Sequence, residues 1–220
     1  MSARRAVVFD MDGTLFDAWP LARLAFLETF ERLRREGWID QAPPEDEVFR
    51  RQLGKTYADM WGALLPNRPL AFYALADAWM FEAEMRLLQK GVGALYPGVE
   101  KTLEALTLKG YRLFVASNGR EAYIEAIVER FGLRRYFADL YSAGRFGTST
   151  KAELVHRLRT THAFDRGIMV GDRRSDVEAG RENGLYVVGC TYGYGLPGEL
   201  AEADALIDAF SDLLHLPVFD

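Results

Sequence analysis

The spacing of hydrophobic residues changes twice along the chain. A short apolar run at residues 6–9 predicts a buried strand. Between residues 18 and 92, hydrophobic residues recur at mostly three- and four-residue spacing, which predicts helices. From residue 97 onward, short apolar runs alternate with helical segments of about 10 to 15 residues. The pattern therefore predicts an α/β region that is interrupted, after its first strand, by an all-helical block.

Glycine and proline turns divide both regions into elements. In the helical block, the predicted helices lie near 21–33, 45–53, 57–65 and 70–89. In the α/β region, the predicted strands after the first span 111–116, 140–142, 167–172, 185–190 and 205–207. The helices predicted between them span 98–109, 121–131, 151–161 and 175–183, and a further helix is predicted at the C-terminal end.

Strands that alternate with helices form parallel sheets whose two faces are both covered. We therefore expect an α/β fold with a doubly wound parallel sheet, built from residues 1–17 and 93–220. Residues 18–92 would form an inserted all-helical subdomain. Ligands of such sheets bind at the carboxyl ends of the strands, and we expect the inserted block to lie over that edge.

Composition and charge narrow the range of partners. The 220 residues suit one domain with a smaller companion, and the formal net charge of -5 disfavours nucleic acid and anionic membranes as partners. No apolar run approaches the roughly 18 residues of a transmembrane helix, and the N-terminal segment lacks the apolar core of a signal peptide. Because Cys190 is the one cysteine, an internal disulfide or a thiolate zinc site is excluded. We expect a cytoplasmic protein, either a monomer or a homodimer.

Polar and charged residues stand where the predicted strands end. Asp10 and Asp12 follow the first strand and are separated by one residue. The carboxyl ends of parallel strands meet at one edge of the sheet, so we expect this pair to converge with the polar residues of later strands and loops. Those later residues are Ser117, Asn118, Gly119, Lys151, Asp172 and Asp176.

Several carboxylates in one crevice repel each other unless a cation offsets their charge. The aspartates outnumber the lysine in this set, so a divalent cation is the simplest counter-charge. Ligands that are all oxygens, without histidine or cysteine, favour a hard ion, and Mg²⁺ first. Because Mg²⁺ prefers one or two carboxylates together with water and substrate phosphate, the pattern predicts a small phosphorylated substrate.

The charged residues of this set suit the separate tasks of phosphate-ester hydrolysis. Asp10 could attack phosphorus and form an aspartyl-phosphate. Asp12 could give a proton to the leaving oxygen and then take one from the hydrolytic water. Lys151 would neutralise the charge that develops on the phosphoryl group. Asp172 would hold the metal, and Asp176 would position Asp172, Lys151 or a metal-bound water.

Smaller polar residues would complete the site. Gly13 permits a tight turn that brings the backbone close to it. The hydroxyl groups of Thr14 and Ser117 could donate to phosphoryl oxygens. Backbone N–H groups near Asn118 and Gly119 could add to this phosphate cradle at the start of a helix.

Four parts of the sequence, taken in order, resemble the four motifs of the haloacid dehalogenase superfamily. They are VVFDMDGTLFD at 7–17, SNG at 117–119, Lys151, and GDRRSD at 171–176. The long gap between the first two resembles the helical cap that this superfamily inserts after its first motif. Within the superfamily the chain is similar to the phosphoglycolate phosphatase-like group, also in the stretch TYGYG at 191–195, whose role the sequence leaves open.

The resemblance implies a Rossmann-like core with Asp10 as nucleophile and Asp12 as general acid and base. It also implies that Mg²⁺ is held by Asp10, the backbone carbonyl group of Asp12, and Asp172. The sequence departs from the pattern of the superfamily at one position. Many relatives place the lysine before a proline, whereas Lys151 precedes Ala152.

Lys55 lies in the stretch QLGKT, on a loop between two helices of the predicted cap. In similar capped proteins, this loop reaches into the cleft and contacts the leaving group of the substrate. Lys55 would pair there with a carboxylate or a second phosphate, and the alternative is a solvated lysine.

These features predict a Mg²⁺-dependent phosphatase that hydrolyses a small phosphorylated metabolite, such as a phosphoglycolate-like monoester, through an aspartyl-phosphate. A phosphomutase, a pyrophosphatase or a nucleotidase on the same scaffold is an alternative, as is a non-catalytic regulator that binds a phosphometabolite. A dehalogenase is disfavoured, because that chemistry has no leaving oxygen for Asp12 to protonate.

Overall fold

The computed structural model of the chain describes residues 5–219, which divide into two compact units. The first unit contains the chain up to Asp17 and again from Leu95 onward, and the second contains Ala18–Ala94. The second unit is thus an insertion in the sequence of the first. Among the helices of residues 5–219, none combines the length and the hydrophobicity that a membrane span requires.

The first unit is built on a six-stranded sheet. The strands of the described chain are β1 (Arg5–Phe9), β2 (Phe16–Asp17), β3 (Ala94–Leu95), β4 (Arg112–Ser117), β5 (Phe137–Ser142), β6 (Arg166–Gly171), β7 (Tyr186–Cys190) and β8 (Ala205–Ile207). The main sheet has the order β5-β4-β1-β6-β7-β8 with parallel pairings, and β2 and β3 form a separate two-stranded sheet. The predicted parallel α/β sheet is confirmed.

The register of the central strands brings their carboxyl ends to one level. Phe9, the last residue of β1, pairs with Val115 of β4 and Val170 of β6. The Asp10 N–H donates to the carbonyl oxygen of Val170 at 2.9 Å. The inner strand β1 is almost entirely buried, as a sheet that is covered on both faces requires. Residues that follow β1, β4 and β6 are therefore neighbours in space.

The second unit is built from helices, as the sequence predicts. They are α1 (Trp19–Arg35), α2 (Asp46–Arg50), α3 (Tyr57–Leu64) and α4 (Leu70–Gln89). Phe26 of α1 stacks on Phe49 of α2 with ring centroids 4.1 Å apart, and Trp61 of α3 is fully buried. Aromatic side chains therefore contribute much of the apolar core of this unit.

Helices alternate with the strands of the first unit. They are α5 (Val99–Leu108), α6 (Glu121–Arg130), α7 (Ala143–Phe146), α8 (Lys151–His162) and α9 (Arg174–Glu182). Helix α8 begins at Lys151 because the Thr150 hydroxyl oxygen accepts a hydrogen bond from the Glu153 N–H and caps the helix. Leu154 and Val155 of α8 are fully buried in the main core. This N-cap hydrogen bond thus fixes Lys151 as the first residue of α8.

The helix predicted at the C-terminal end has a different form. It consists of two short 3₁₀ helices, Phe210–His215 and Pro217–Phe219. Pro217 has no N–H to donate, and the residue before a proline is disfavoured in the α-helical conformation. Leu216 is accordingly extended, so one continuous α-helix cannot pass through this point.

Helix α2 is shorter and strand β5 is longer than predicted. Helix α2 ends at Arg50, and the chain then turns toward Gly54, whose φ of 79° lies in the left-handed region that glycine tolerates. Strand β5 begins at Phe137, which pairs with Leu113 of β4. The polar Asp139 interrupts the apolar run, and for this reason the pattern identifies only the last part of the strand.

Candidate active site

Charged side chains meet at the carboxyl edge of the main sheet. Lys151, the first residue of α8, places its ammonium nitrogen 2.8 Å from Oδ1 of Asp10 and 2.6 Å from Oδ1 of Asp176. One carboxylate oxygen from each of Asp10, Asp172 and Asp176 lies within 4.8 Å of the others. All of these side chains are buried. Residues that are distant in the sequence therefore form one buried cluster.

Lys151 carries the positive charge of this cluster. Its side chain is only 1% exposed, and burial by itself opposes the charged form. The carboxylates of Asp10 and Asp176 outweigh burial and hold the pKa of Lys151 above its usual value. Lys151 is therefore charged at neutral pH, but one ammonium group cannot offset the charges of all the surrounding carboxylates.

Folding disfavours the charged forms of Asp10 and Asp172, so the pKa of each is raised. Burial, followed by the charge of Asp176, raises the pKa of Asp10 to about 6, although Lys151 acts in the opposite direction. Burial, followed by the charges of Asp176 and Asp10, raises the pKa of Asp172 well above its usual value. A divalent cation beside them would reverse this effect, because a nearby positive charge favours the ionised carboxylate.

Asp10 and Asp172 are the residues of the cluster that fit a cation best. Asp176 already has a cationic partner, because its Oδ1 lies 2.6 Å from the ammonium nitrogen of Lys151. The oxygens of Asp172 accept only from a hydroxyl group and a backbone N–H among the described residues. Asp10, which shares Lys151 with Asp176, keeps a raised pKa. Asp10 and Asp172 offer oxygen ligands, which suit a hard ion such as Mg²⁺. The chemistry of this donor set therefore fits a magnesium ion, and Asp176 is placed to orient Lys151.

We expect the metal-free protein to be more stable near pH 5 than near pH 8. A carboxyl group whose pKa is raised by folding stabilises the fold at low pH, and this contribution is lost as the pH rises through the folded pKa. The pKa of Asp10 is raised to about 6 and that of Asp172 is also raised. The free energy of unfolding in EDTA should fall by at least about 2 kcal/mol between about pH 5 and about pH 8, as measured by urea denaturation.

Saturating Mg²⁺ serves as the control for this measurement. A bound cation lowers the pKa of the carboxyl groups that hold it, so it should remove most of the decrease toward high pH. A metal-free protein whose stability instead rises from about pH 5 to about pH 8 would contradict the electrostatic description of the cluster.

Asp12 is held by a tyrosine on α6. Its side chain is partly exposed, and its Oδ1 accepts a hydrogen bond from the Tyr123 hydroxyl group at 2.9 Å. Burial and the charge of Asp10 raise the pKa of Asp12 to about 7, while the hydrogen bond from Tyr123 lowers it. A carboxyl group with a pKa near neutrality is available in both protonation states, as a residue that acts first as an acid and then as a base requires.

The smaller polar residues lie in the loop after β1 and at the carboxyl end of β4. The Thr14 hydroxyl group donates to Oδ1 of Asp172 at 3.4 Å, and the Gly119 N–H donates to Oγ of Ser117 at 3.1 Å. Thr14 and Ser117 are buried, and Asn118 lies between Ser117 and Gly119 ahead of α6. The contacts predicted between these residues and phosphoryl oxygens remain predictions.

Gly13 lets the loop after β1 approach Asp172 closely. Its φ is 81°, a left-handed conformation that favours glycine. A Cβ atom at this position would overlap the carboxylate group of Asp172. Both the backbone conformation and the available space therefore require glycine here.

Lys55 lies in the second unit, between α2 and α3. Its side chain is exposed, and its ammonium group donates to Oε1 of Gln52 at 2.9 Å. The predicted contact between Lys55 and the leaving group of a substrate remains a prediction.

The sequence pattern does not predict two features of the site. Tyr123, which holds Asp12, has the spacing of an ordinary buried residue of α6. The stretch TYGYG is visible in the sequence, but its contact with Asp172 is not: the Tyr194 N–H donates to Oδ2 of Asp172 at 2.6 Å. The closely spaced glycines are the available signal, because glycine permits a close approach of two backbone segments.

Comparisons with known proteins identify a family and several similar proteins. The family model for haloacid dehalogenase-like hydrolases matches residues 4–184. A phosphoglycolate phosphatase of Pasteurella multocida is 27% identical over 247 residues, which cover 98% of this chain and 99% of that protein. A 5'-nucleotidase of Pseudomonas aeruginosa is 29% identical over 206 residues, which cover 88% of this chain and 86% of that protein. The crystal structure of a predicted phosphoglycolate phosphatase from Haemophilus somnus is similar in fold, with a TM-score of 0.85, 21% identity and 98% coverage of both chains.

Proposed function

Since the chain belongs to the haloacid dehalogenase-like hydrolase family, we propose that it is a Mg²⁺-dependent phosphatase. Its substrate would be a small phosphorylated metabolite, and its reaction would pass through an aspartyl-phosphate on Asp10. The observation that carries this proposal is the buried cluster of Asp10, Lys151 and Asp172. In this cluster two carboxylates lie beside one ammonium group, which supports a role of Asp10 as nucleophile and of Lys151 as a fixed positive charge in phosphoryl transfer.

In the first step, Asp10 attacks the phosphorus atom of the ester. A bond forms between a carboxylate oxygen of Asp10 and phosphorus, and the bond between phosphorus and the ester oxygen breaks. Asp12 gives its proton to the departing oxygen. Lys151, 2.8 Å from Oδ1 of Asp10, stabilises the negative charge that develops on the phosphoryl oxygens. When bound, Mg²⁺ supplies Lewis-acid stabilisation of the same charge.

In the second step, water hydrolyses the aspartyl-phosphate. Asp12, now ionised, takes a proton from the water molecule as the water oxygen attacks phosphorus, and the bond between phosphorus and Asp10 breaks. Inorganic phosphate leaves, and both aspartates return to their initial states. The pKa of Asp12, raised to about 7, suits a group that must change its protonation state in each step.

The relatives support a phosphomonoester as the substrate. The phosphoglycolate phosphatase of Pasteurella multocida matches almost the whole chain, so a phosphoglycolate-like monoester is the first candidate. The 5'-nucleotidase of Pseudomonas aeruginosa has a slightly higher identity, so a nucleoside monophosphate is the second. The inserted helical unit would select between them as a cap, and Lys55 would offer its ammonium group to a second anionic group of the substrate.

Purified protein should release phosphate from p-nitrophenyl phosphate when Mg²⁺ is present. Removal of the metal with EDTA should stop the reaction and renewed addition should restore it, because Asp10 and Asp172 lose their common counter-charge. A panel that includes phosphoglycolate, nucleoside monophosphates, pyrophosphate and sugar phosphates then separates the candidate substrates.

The same panel distinguishes the alternative functions. Conversion of a sugar phosphate into its isomer without free phosphate would indicate a phosphomutase, and preferred release from pyrophosphate would indicate a pyrophosphatase. Absence of turnover with every ester of the panel would favour a non-catalytic regulator that binds a phosphometabolite.

A further inference from the structure

The 192–195 segment, Tyr-Gly-Tyr-Gly, lies directly against Asp172. The Tyr194 N–H donates to Oδ2 of Asp172 at 2.6 Å, and the Thr14 hydroxyl group donates to Oδ1. The side chain of Asp172 is fully buried. A backbone group of the 192–195 segment therefore restrains one oxygen of a carboxylate that we assign to the cation.

The glycines of the segment allow this close approach. A Cβ atom at Gly193 would overlap the side chain of Asp172 and the carbonyl oxygen of Gly13, and a Cβ atom at Gly195 would overlap the carbonyl oxygen of Asp172. Neither Gly193 nor Gly195 has φ in the left-handed region. Glycine is required here by the space available and not by the backbone conformation.

Arg173 holds the carbonyl group of the same residue, Tyr194. Nη1 of Arg173 donates to the carbonyl oxygen of Tyr194 at 3.2 Å, and Nε of Arg173 lies 3.0 Å from Oε2 of Glu199. The side chains of Arg173 and Glu199 are 7% and 13% exposed. Because Arg173 directly follows Asp172, its hydrogen bond to Tyr194 ties the 192–195 segment to the loop that carries the metal-site carboxylate. The ion pair with Glu199 in turn holds the guanidinium group of Arg173 in place.

The tyrosine side chains connect the segment to the other half of the site. The Tyr192 hydroxyl group donates to the carbonyl oxygen of Thr14 at 2.9 Å, and the Tyr194 hydroxyl group donates to Oδ1 of Asp17 at 2.8 Å. Thr14 belongs to the loop that follows β1 and begins at Asp10, and Asp17 ends the short strand β2 to which that loop leads. The segment thus bridges the loops that carry Asp10 and Asp172.

We infer that the 192–195 segment is a positioning element that sets the orientation of Asp172 relative to Asp10, and through it the selectivity of the site for Mg²⁺. This inference rests on the proposed function, since it takes Asp10 and Asp172 as the metal ligands. Mg²⁺ demands near-ideal octahedral geometry at about 2.0 to 2.1 Å, whereas Ca²⁺ accepts flexible geometry at about 2.3 to 2.6 Å. A displaced Asp172 should therefore impair Mg²⁺ binding more than Ca²⁺ binding.

Isothermal titration calorimetry with Mg²⁺ and with Ca²⁺ tests the inference on the full chain. Gly193→Ala adds a methyl group against Asp172 and should weaken Mg²⁺ binding about 10- to 100-fold, with a smaller effect on Ca²⁺ binding. Gly62→Ala adds the same group where nothing lies within 4 Å. This control should leave both dissociation constants unchanged.

Glu199→Gln is a more conservative variant that tests the positioning role of the 192–195 segment if Gly193→Ala does not fold. It keeps the size of the side chain but removes the charge that pairs with Arg173, and it should weaken Mg²⁺ binding about 3- to 10-fold, again more than Ca²⁺ binding. Unchanged affinities, or equal losses for both ions in a folded variant, would overturn the inference and leave the proposed function intact. A wild-type protein that binds no Mg²⁺ would overturn both.

Discussion

Asp10→Asn is expected to abolish the release of p-nitrophenolate from p-nitrophenyl phosphate, with a loss of at least about 1,000-fold in rate. In the proposed mechanism the amide lacks the carboxylate oxygen that would attack phosphorus, so no aspartyl-phosphate would form. Asp12 should not compensate, because its carboxyl group is held by Tyr123 and is proposed to serve proton transfer. The initial rate in saturating Mg²⁺ measures the loss.

The free energy of unfolding of Asp10→Asn shows whether a loss of activity comes from lost chemistry or from a lost fold. Because the folded protein raises the pKa of Asp10 to about 6, it disfavours the charged carboxylate. In EDTA at neutral pH, the uncharged asparagine should leave the free energy of unfolding unchanged or higher. Asp40→Asn makes the same change at an exposed site and should retain full activity. Robust turnover by Asp10→Asn would exclude Asp10 as the nucleophile.

The fold is predictable from the sequence because buried parallel strands have a strong pattern. After a first arginine, each of the inner strands β1, β4 and β6 continues as a run of apolar residues and glycine, namely AVVF, LFVA and GIMVG, and helices with a regular period follow them. The hydrophobic pattern predicts the elements less well where a polar residue or a proline interrupts it. Asp139 interrupts β5, and the helical tendency near Phe210–His215 is cut short by Pro217.

The proximity of the main acidic residues follows from topology alone. Asp10 and Asp172 stand at the carboxyl ends of β1 and β6, which are adjacent in the sheet. The alternating α/β pattern predicts that the strands are parallel and that their carboxyl ends share one edge, whereas the adjacency of β1 and β6 is seen in the structure. The position of Lys151 follows from a local signal, the cap at Thr150 that starts α8.

Other contacts of the site have no comparable signal in the sequence. The hydrogen bond between Tyr123 and Asp12 depends on how α6 is rotated about its axis. The contact of the 192–195 segment with Asp172 depends on the path of a loop after β7. Spacing within one element cannot specify either arrangement, because each is determined by tertiary packing.

The charges of the acidic cluster show what the sequence and the structure each contribute. Residue types alone show that acids outnumber the lysine, but the structure shows how the one ammonium group is shared. Lys151 bridges Asp10 and Asp176 and leaves Asp172 without an ammonium contact among the described residues. Asp172 is instead held by a hydroxyl and a backbone N–H group. The cation would therefore be needed on the Asp172 side of the cluster.

Lys151→Met is expected to impair both stability and catalysis. It removes the ammonium group that lies 2.8 Å from Asp10 and 2.6 Å from Asp176, and it leaves buried carboxylates unpaired. In EDTA near pH 8, the free energy of unfolding should fall by about 3 kcal/mol. The rate with p-nitrophenyl phosphate should fall at least about 100-fold, because no fixed positive charge offsets the charge on the phosphoryl oxygens.

The pH dependence of this variant identifies the cause. Near pH 5 the destabilisation should be smaller, because without Lys151 the pKa of Asp10 rises further and the carboxyl group can bind a proton in place of its lost partner. Lys101→Met, on the exposed side of α5, is the matched control and should behave as the wild type. A loss of stability that is equal near pH 5 and near pH 8 would point to lost packing by the lysine stem, and would contradict the electrostatic role of Lys151.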